Sequence, residues 1–500
     1  AFEHRDGLDY FYADGLDLAE GYEAVARAIH HCRTTRRPTF LHLRTTRIMG
    51  HAGTDFEIEW RSVEELVAVE ATDPLLRSAE IALESGLETK DSLLARYEAI
   101  RKKCFAAAEE ADRRPKLTEL SDVIAPLAPY TPIKVNAEAK RADFADKRRA
   151  VFGGDEKLPE KLPPRHLAIQ INHALHDLFC KYPETLLFGE DVAQKGGVYT
   201  VTKGLHKAFR NARVFNTLLD ETIILGLAQG FANMGMLPIP EIQYLAYFHN
   251  ACDQIRGEAA SLQFFSNDQY RNPMLVRIAG LGYQRGFGGH FHNDNSIAAL
   301  RDIPGLVVGC ASRGDDAAMM LRTLAALAKV DGRVTVFLEP IALYMTKDLY
   351  EAGDGGWLTS YPPPDQALVL GEARVYDQSA SDLVIFTYGN GVPMSLRAAR
   401  AIGKKHSWKI RVVDLRWLVP LNEELIAEHA KTAKRIVVVD EGRHSAGVGE
   451  GIVTAVVEAG FGMTPIRRVV GADTYTPLAG AAFLVLPGEE DIVNAAAELA

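Results

Sequence analysis

The sequence predicts an α/β protein built from parallel sheets with helices on both faces. Strand-length apolar runs alternate with helix-length periodic segments from residue 165 to the C-terminus, the pattern of strands joined by helical crossovers. The runs are rich in consecutive apolar residues, as in sheets covered on both faces. A Gly/Pro-rich break at 353–364 divides the alternation into a larger and a smaller block. The 500 residues, 47% hydrophobic and 24% charged, allow two to four domains at roughly 100–200 residues each.

Residues 1–115 hold one strand-like run, 39–43, behind a helix whose Tyr22, Val25, Ala26 and Ile29 share a face at 3.6-residue spacing. Helical patterns follow at 62–70 and 93–111. One strand cannot close a sheet, so this part reads as the end of a larger α/β domain. From 116 to 164 the periodicity breaks down among six prolines and a charged run at 138–149, which reads as a connector. A connector this long favours a junction between two formerly separate pieces. A helix at 167–182 opens the next block. Strands follow at 185–189, 213–219, 237–242, 274–278, 306–310 and 333–338, giving a domain over 165–352. Beyond the linker at 353–364, strands at 382–388, 410–413 and 435–439, each backed by a helix, make a smaller α/β domain over 365–500.

Composition excludes several classes. A net charge of −10 (56 Lys and Arg against 66 Asp and Glu) argues against a nucleic-acid surface. The basic run Lys147-Arg148-Arg149 is interleaved with acids. No stretch approaches the ~18 apolar residues of a membrane span, and no signal peptide opens the chain. Five scattered cysteines without a C-x-x-C pattern point to a reducing compartment, and the expected location is cytoplasmic.

Ligands of open parallel sheets bind beyond the C-terminal ends of strands. That rule selects Gly189-Glu190-Asp191, Leu219-Asp220-Glu221, the stretch 243–247 with Gln243 and Tyr247, and the loop 280–295. On position alone Glu221 reads as a first-turn carboxylate and Asp220 as an N-cap. His290 and His292, two apart in a Gly-rich segment, lack a third metal ligand, and each reads equally as a solvated loop histidine, as does His51. No metal ligand is assigned. Gly353-Asp354-Gly355 reads as a turn, and the glycines of 447–451 as helix–strand packing.

A set of ordered motifs resembles the β subunit of 2-oxo acid dehydrogenase E1 components. Its carriers are Gly189-Glu190-Asp191-Val192, Gly196-Gly197-Val198-Tyr199, Thr202-Lys203-Gly204-Leu205, Glu241-Ile242-Gln243-Tyr244, Asp253-Gln254-Ile255, Asp414-Leu415-Arg416 and Asp440-Glu441. Residues 1–115 resemble the end of the matching α subunit, through Ala13-Asp14-Gly15-Leu16-Asp17, Arg37-Pro38-Thr39, Gly50-His51, Thr54-Asp55 and Asp73-Pro74. The resemblance implies a transketolase-like fold with α-like and β-like parts fused, and thiamine diphosphate as cofactor. Because residues 1–115 resemble only the end of the α subunit, the resemblance places the family's Mg²⁺ and diphosphate motif upstream of residue 1; the chain opens Ala1-Phe2-Glu3 without Met.

The resemblance gives Glu221 the role of the carboxylate that holds the aminopyrimidine in its imino tautomer. Tyr247 becomes the ring against the pyrimidine, and Glu190, Leu219, Asp220 and Gln243 line the cofactor. His292 and His51 align with the β- and α-subunit histidines that handle substrate charge and protons. The implied activity is decarboxylation of a 2-oxo acid and reductive acylation of the lipoyl group of an E2 partner by at least a homodimer, with the apolar helix 247–265 a candidate for the interface. Phe291 favours a branched-chain oxo acid over pyruvate. Rival readings are a transketolase or deoxyxylulose-phosphate synthase, and an inactive or regulatory paralogue. Departures stand at His292-Asn293-Asp294-Asn295, where the family carries His-Ser-Gln-Ser, at Leu218 and Ile223, and at Ala52, which removes a phosphorylation acceptor.

Overall fold

A computed structural model describes Glu3 and residues 6–500, in two compact units, 1–116 and 117–500. Ala1 and Phe2, on which the reading of the chain's opening rests, lie outside the described residues.

The first unit is built on two parallel strands, β1 (Asp9–Asp14) and β2 (Thr39–Arg44), where the sequence predicts one. β1 escapes because it is a short aromatic run, Tyr10-Phe11-Tyr12, bracketed by aspartates. The crossover helix Leu18–Thr35 starts on Asp17, whose carboxylate accepts from the amides of Ala19 and Glu20. This helix buries Ala24 and Ala28, while Tyr22 and Ile29, expected inside, are exposed. Alanines let the helix approach a ribbon of only two strands, and that ribbon is too narrow to cover the larger face. Helices Val63–Glu70, Pro74–Glu84 and Lys90–Arg113 complete the unit, the first with a reciprocal Ser62/Glu65 capping box.

The second unit holds two sheets. Its strands are β3 (Thr185–Gly189), β4 (Val214–Asn216), β5 (Leu237–Ile242), β6 (Met274–Gly280), β7 (Val307–Cys310), β8 (Val334–Pro340), β9 (Arg374–Tyr376), β10 (Leu383–Thr387), β11 (Ile410–Asp414), β12 (Trp417–Val419), β13 (Ile436–Arg443) and β14 (Ile466–Gly471). The larger sheet runs β12-β7-β8-β6-β5-β3-β4 and the smaller β14-β13-β10-β11-β9. Both are parallel except for one antiparallel edge each, β12 and β9. β3, β5, β6, β7 and β8 are buried along their whole length, which is why they read as largely apolar runs. β12, three residues long and directly ahead of Pro420, leaves the C-terminal block to edge the larger sheet and is too short to stand out in the sequence.

The stretch read as a connector is folded onto this unit. Helices Pro132–Lys140 and Ala145–Phe152 bury Val135, Ala139 and Arg148. The Arg148 guanidinium meets Asp177 at 2.6 Å and Glu160 at 2.7 Å, and Asp177 also accepts from the Tyr361 hydroxyl at 2.7 Å. Charge here satisfies buried partners rather than solvating a spacer. The helix expected over 247–265 is broken into Leu245–Phe248, a 3₁₀ turn His249–Ala251, a π-helical stretch Gln254–Ala259 and Ser261–Phe265. At the N-terminus of the helix Val448–Val456, a Cβ on Gly447 would stand 2.5 Å from an Asp440 carboxylate oxygen. Close packing therefore explains that Gly-rich run. Among the described residues no helix is long and apolar enough to cross a membrane.

Candidate active site

The C-terminal ends of β3, β4, β5 and β6 open onto one region of the second unit. Gly189 ends β3 at φ +155°, and a Cβ there would lie 2.7 Å from the Glu241 carbonyl oxygen. Glycine is thus required for the backbone to turn Glu190 out of the sheet. After β4, Asp220 caps the helix Glu221–Asn233, its carboxylate accepting from the Ile223 amide at 3.1 Å. Glu221, the first helical residue, is 8% exposed, and its Oε2 accepts from the Asn250 side-chain amide at 3.2 Å. Leu219, just ahead, is exposed.

Charges and rings link these residues. Glu190 is half-buried and is pushed up by burial, then by the charges of Asp191 and Glu221. The Tyr247 hydroxyl is pushed up by burial and by Tyr244, Glu221 and Glu190. Glu190, Glu221 and Tyr247 are therefore neighbours, as the strand-end rule predicts. Gln243 follows β5, and its side-chain Nε2 is buried without a hydrogen-bond partner. Beneath lies a buried network in which Arg277 meets Glu241 at 2.5 Å and Glu339 at 2.7 Å, while the Tyr344 hydroxyl donates to Glu339 at 2.5 Å. This network anchors the ends of β5, β6 and β8.

The loop after β6 carries His292. Its ring stands edge-on to Tyr244, centroids 4.8 Å apart, and Tyr244 in turn stands edge-on to Tyr247 at 5.8 Å. His292 Nδ1 lies 3.3 Å from the Gly288 carbonyl, which can only accept, so this contact is a hydrogen bond when Nδ1 carries a proton. The three residues that depart from the family motif are all buried: Asn293 donates to the carbonyls of Gly282 and Gln284, Asn295 donates to the Glu441 carbonyl, and Asp294 pairs with Arg443 at 3.2 Å. Asp294 is held below the usual carboxylate range despite its burial, by His249, Ser296 and Arg443. The departures therefore act as struts of the loop. Beside it, a cavity of about 640 Å³ is lined by Tyr247, His249, His290, Phe291, Asp294 and Arg443, among others. His290 packs on Phe291 and Tyr475.

The sequence reading missed His249 and Asn250, and it gave Tyr244, inside a selected stretch, no role of its own. Tyr244 and Asn250 sit within three residues of Tyr247, but only side-chain contacts reveal what they hold. His51 belongs to the first unit, in an exposed turn where the Asp55 carboxylate accepts from the Ala52 amide at 3.0 Å.

Comparison with known proteins agrees with this layout. Residues 5–119 match the dehydrogenase E1 component, 167–346 the transketolase pyrimidine-binding domain and 371–490 the transketolase C-terminal domain. The chain is 35% identical over 327 residues to the 3-methyl-2-oxobutanoate dehydrogenase subunit beta of Mycobacterium tuberculosis, spanning 65% of this chain and 88% of that one. It is 33% identical over 335 residues to the pyruvate dehydrogenase E1 component subunit beta of Staphylococcus aureus, spanning 66% and 96%. A solved split-gene transketolase, described as an inactive beta4 tetramer, shares the fold with a TM-score of 0.53 at 19% identity, over 67% of this chain and 98% of that one. With an E1-dehydrogenase segment ahead of a β-subunit-like part, strand ends that gather Glu190, Glu221 and Tyr247, and relatives of this identity and coverage, the chain belongs to the thiamine diphosphate-dependent E1 family of 2-oxo acid dehydrogenases.

Proposed function

We propose that this protein is the E1 component of a 2-oxo acid dehydrogenase complex, decarboxylating a 2-oxo acid and passing the acyl group to the lipoyl moiety of an E2 acyltransferase. The observation that carries the reading is the cluster of Glu221, Glu190 and Tyr247 at a helix N-terminus, with His292 two rings away. The residues fit the aminopyrimidine of thiamine diphosphate. Glu221 has one carboxylate oxygen engaged by Asn250, leaving the other for a ring nitrogen. The Gln243 amide is buried with nothing to donate to, at a cost that a ligand acceptor would offset.

On this reading Glu221, Tyr247, Gln243 and Glu190 hold the pyrimidine, with Leu219 and Asp220 at its edge. The cofactor supplies, when bound, a carbon nucleophile that adds to the oxo carbon and accepts the electrons released with CO₂. Glu221 exchanges a proton with the ring nitrogen it faces. His292 offers its imidazole to the substrate carboxylate or to a proton in transit, and His51 is assigned the same kind of work. Mg²⁺ accompanies the diphosphate and is assigned to no residue here. Phe291, exposed at the cavity wall, favours a branched-chain oxo acid over pyruvate. The protein is proposed to act in the cytoplasm, as a homodimer at least.

The test is calorimetry with thiamine diphosphate and Mg²⁺, followed by turnover of branched-chain oxo acids and pyruvate with an isolated lipoyl domain. Saturable cofactor binding with lipoyl acylation is expected. Turnover of a sugar phosphate without lipoate would overturn the assignment in favour of a transketolase.

A further inference from the structure

Between Tyr247 and the π-helical stretch, two consecutive side chains reach in opposite directions. Asn250 donates to Glu221 Oε2 at 3.2 Å, and its own carbonyl accepts from the Thr222 hydroxyl at 3.1 Å. The residue therefore grips the first two positions of the helix Glu221–Asn233. His249 turns the other way: its Nε2 lies 2.9 Å from the Ser296 hydroxyl and 3.8 Å from Asp294 Oδ2. Ser296 is hydrogen-bonded to Asp294, and Asp294 stands two residues from His292 on the same loop. Both links run through one 3₁₀ turn, His249–Ala251.

We propose that His249-Asn250 is a clasp that sets the Glu221 carboxylate and the His292 loop in register, making these two residues positioning residues of the site. The inference rests on the function proposed above and extends it to residues that the sequence motifs do not single out. The physical case is economy of freedom. A first-turn glutamate has three side-chain torsions, and a donor on one oxygen restricts them, which leaves Oε1 as the oxygen to serve the ring nitrogen of the proposed function. Consecutive residues cannot move independently, so disturbance of the loop at Ser296 is passed to Glu221 through a single peptide unit. The groups facing Glu221 are Glu190 and Tyr247, together with Asn250 itself.

Two measurements test the clasp on the full chain. In ligand-free protein, amide hydrogen exchange is followed at 220–224 and 289–297 in wild type, His249→Ala and Asn250→Ala. A clasp predicts that His249→Ala speeds exchange at both segments, and that the double variant adds less than the sum of the two. Acceleration confined to 289–297 in His249→Ala, with additive effects, would overturn it. The second measurement is thiamine diphosphate affinity against pH in the presence of Mg²⁺. Asn250→Ala is expected to lose roughly tenfold in affinity, about what one hydrogen bond to a charged group is worth. Asn250→Asp puts a carboxyl 3.2 Å from Glu221 and is expected to move the midpoint of the pH profile upward. His249→Gln, which keeps a donor towards Ser296, is expected to restore most of what His249→Ala loses. Tight wild-type binding with an unmoved profile in Asn250→Asp overturns the clasp alone. No wild-type binding overturns the assigned function, and the exchange data still decide whether the two segments are coupled.

Discussion

Glu441 is a carboxyl the fold holds as an acid near neutrality. It lies in β13, 2% exposed, with Gly282 N–H donating to Oε2 at 2.9 Å and the Asn390 amide within 3.1 Å of both oxygens. Burial pushes it up to about 7, Asp440 beside it acts in the same direction, and the donors of Gly282 and Asn390 oppose. The folded chain therefore holds a proton between 4.5 and about 7 that the unfolded chain has released, so stability falls as pH rises through that window and levels off above it. At about 1.4 kcal/mol per pH unit the loss amounts to about 3 kcal/mol. The protonated form has an acceptor to hand, because Asn390 Oδ1 is buried without a partner and a flip of the amide turns it towards Glu441. Glu441→Gln fixes the neutral state in nearly the same volume. Denaturant unfolding of both proteins from pH 4.5 to 8 is the assay, read as the difference between them. That subtraction removes the slope that other acids, such as Asp414 at about 6, contribute equally to both. The variant is expected to gain on wild type by about 3 kcal/mol across the window. A flat difference would refute the reasoning, since Glu441 would then hold the same charge in both states.

The remaining predictions follow from the site and its supports. Glu221→Gln should leave the melting temperature within a few degrees of wild type while lowering lipoyl acylation by about 10²–10⁴-fold. His292→Ala should retain cofactor affinity by calorimetry yet lose at least about a hundredfold in turnover; equal losses in affinity would move His292 from substrate chemistry to cofactor binding. Gly189→Ala, strained at φ +155° and 2.7 Å from the Glu241 carbonyl, should cost about 1–3 kcal/mol by denaturant unfolding. Arg148→Ala removes the main cation of Asp177 and Glu160, leaving Asp177 the Tyr361 hydroxyl and the more distant Arg322, and should cost about 2–3 kcal/mol, a loss that a mere spacer between units would not show.

What could be read from the sequence follows from burial. β3, β5, β6, β7 and β8 have both faces covered, so each wrote a largely apolar run of strand length. β9 and β12 are three-residue edges and left no pattern long enough to count. The first unit misled in a different way. The helix Leu18–Thr35 has an apolar face at the right spacing, but what it buries is a pair of alanines against a narrow ribbon. Residues 117–164 misled through charge, because an arginine in a polar run looks solvated until its partners, some thirty residues away at Asp177, are known. At the site, the strand-end rule selected the stretches that hold Glu190, Glu221, Gln243 and Tyr247, while the role of each residue came from the family resemblance. The rule could not find Asn250 or His249, whose meaning lies in which oxygen and which hydroxyl they reach.

The pairing of Glu190 with Glu221 bears on why such a site is built at all. Folding brings two acids together at a partly dry strand end, and the strain shows in Glu190, raised by burial and by its acidic neighbours. A fold selected for stability alone would separate them or place a lysine between them. The nearest cation, Lys195, is instead spent on Asp191 at 2.5 Å. A strand end with surplus negative charge and an aromatic wall at Tyr247 is electrostatically incomplete. On the function proposed above, what completes it is a flat heteroaromatic ring with a basic nitrogen, able to take a proton, facing Glu221. An aminopyrimidine is a ring of that kind, and the acids Glu190 and Glu221 are what its basic nitrogen would face.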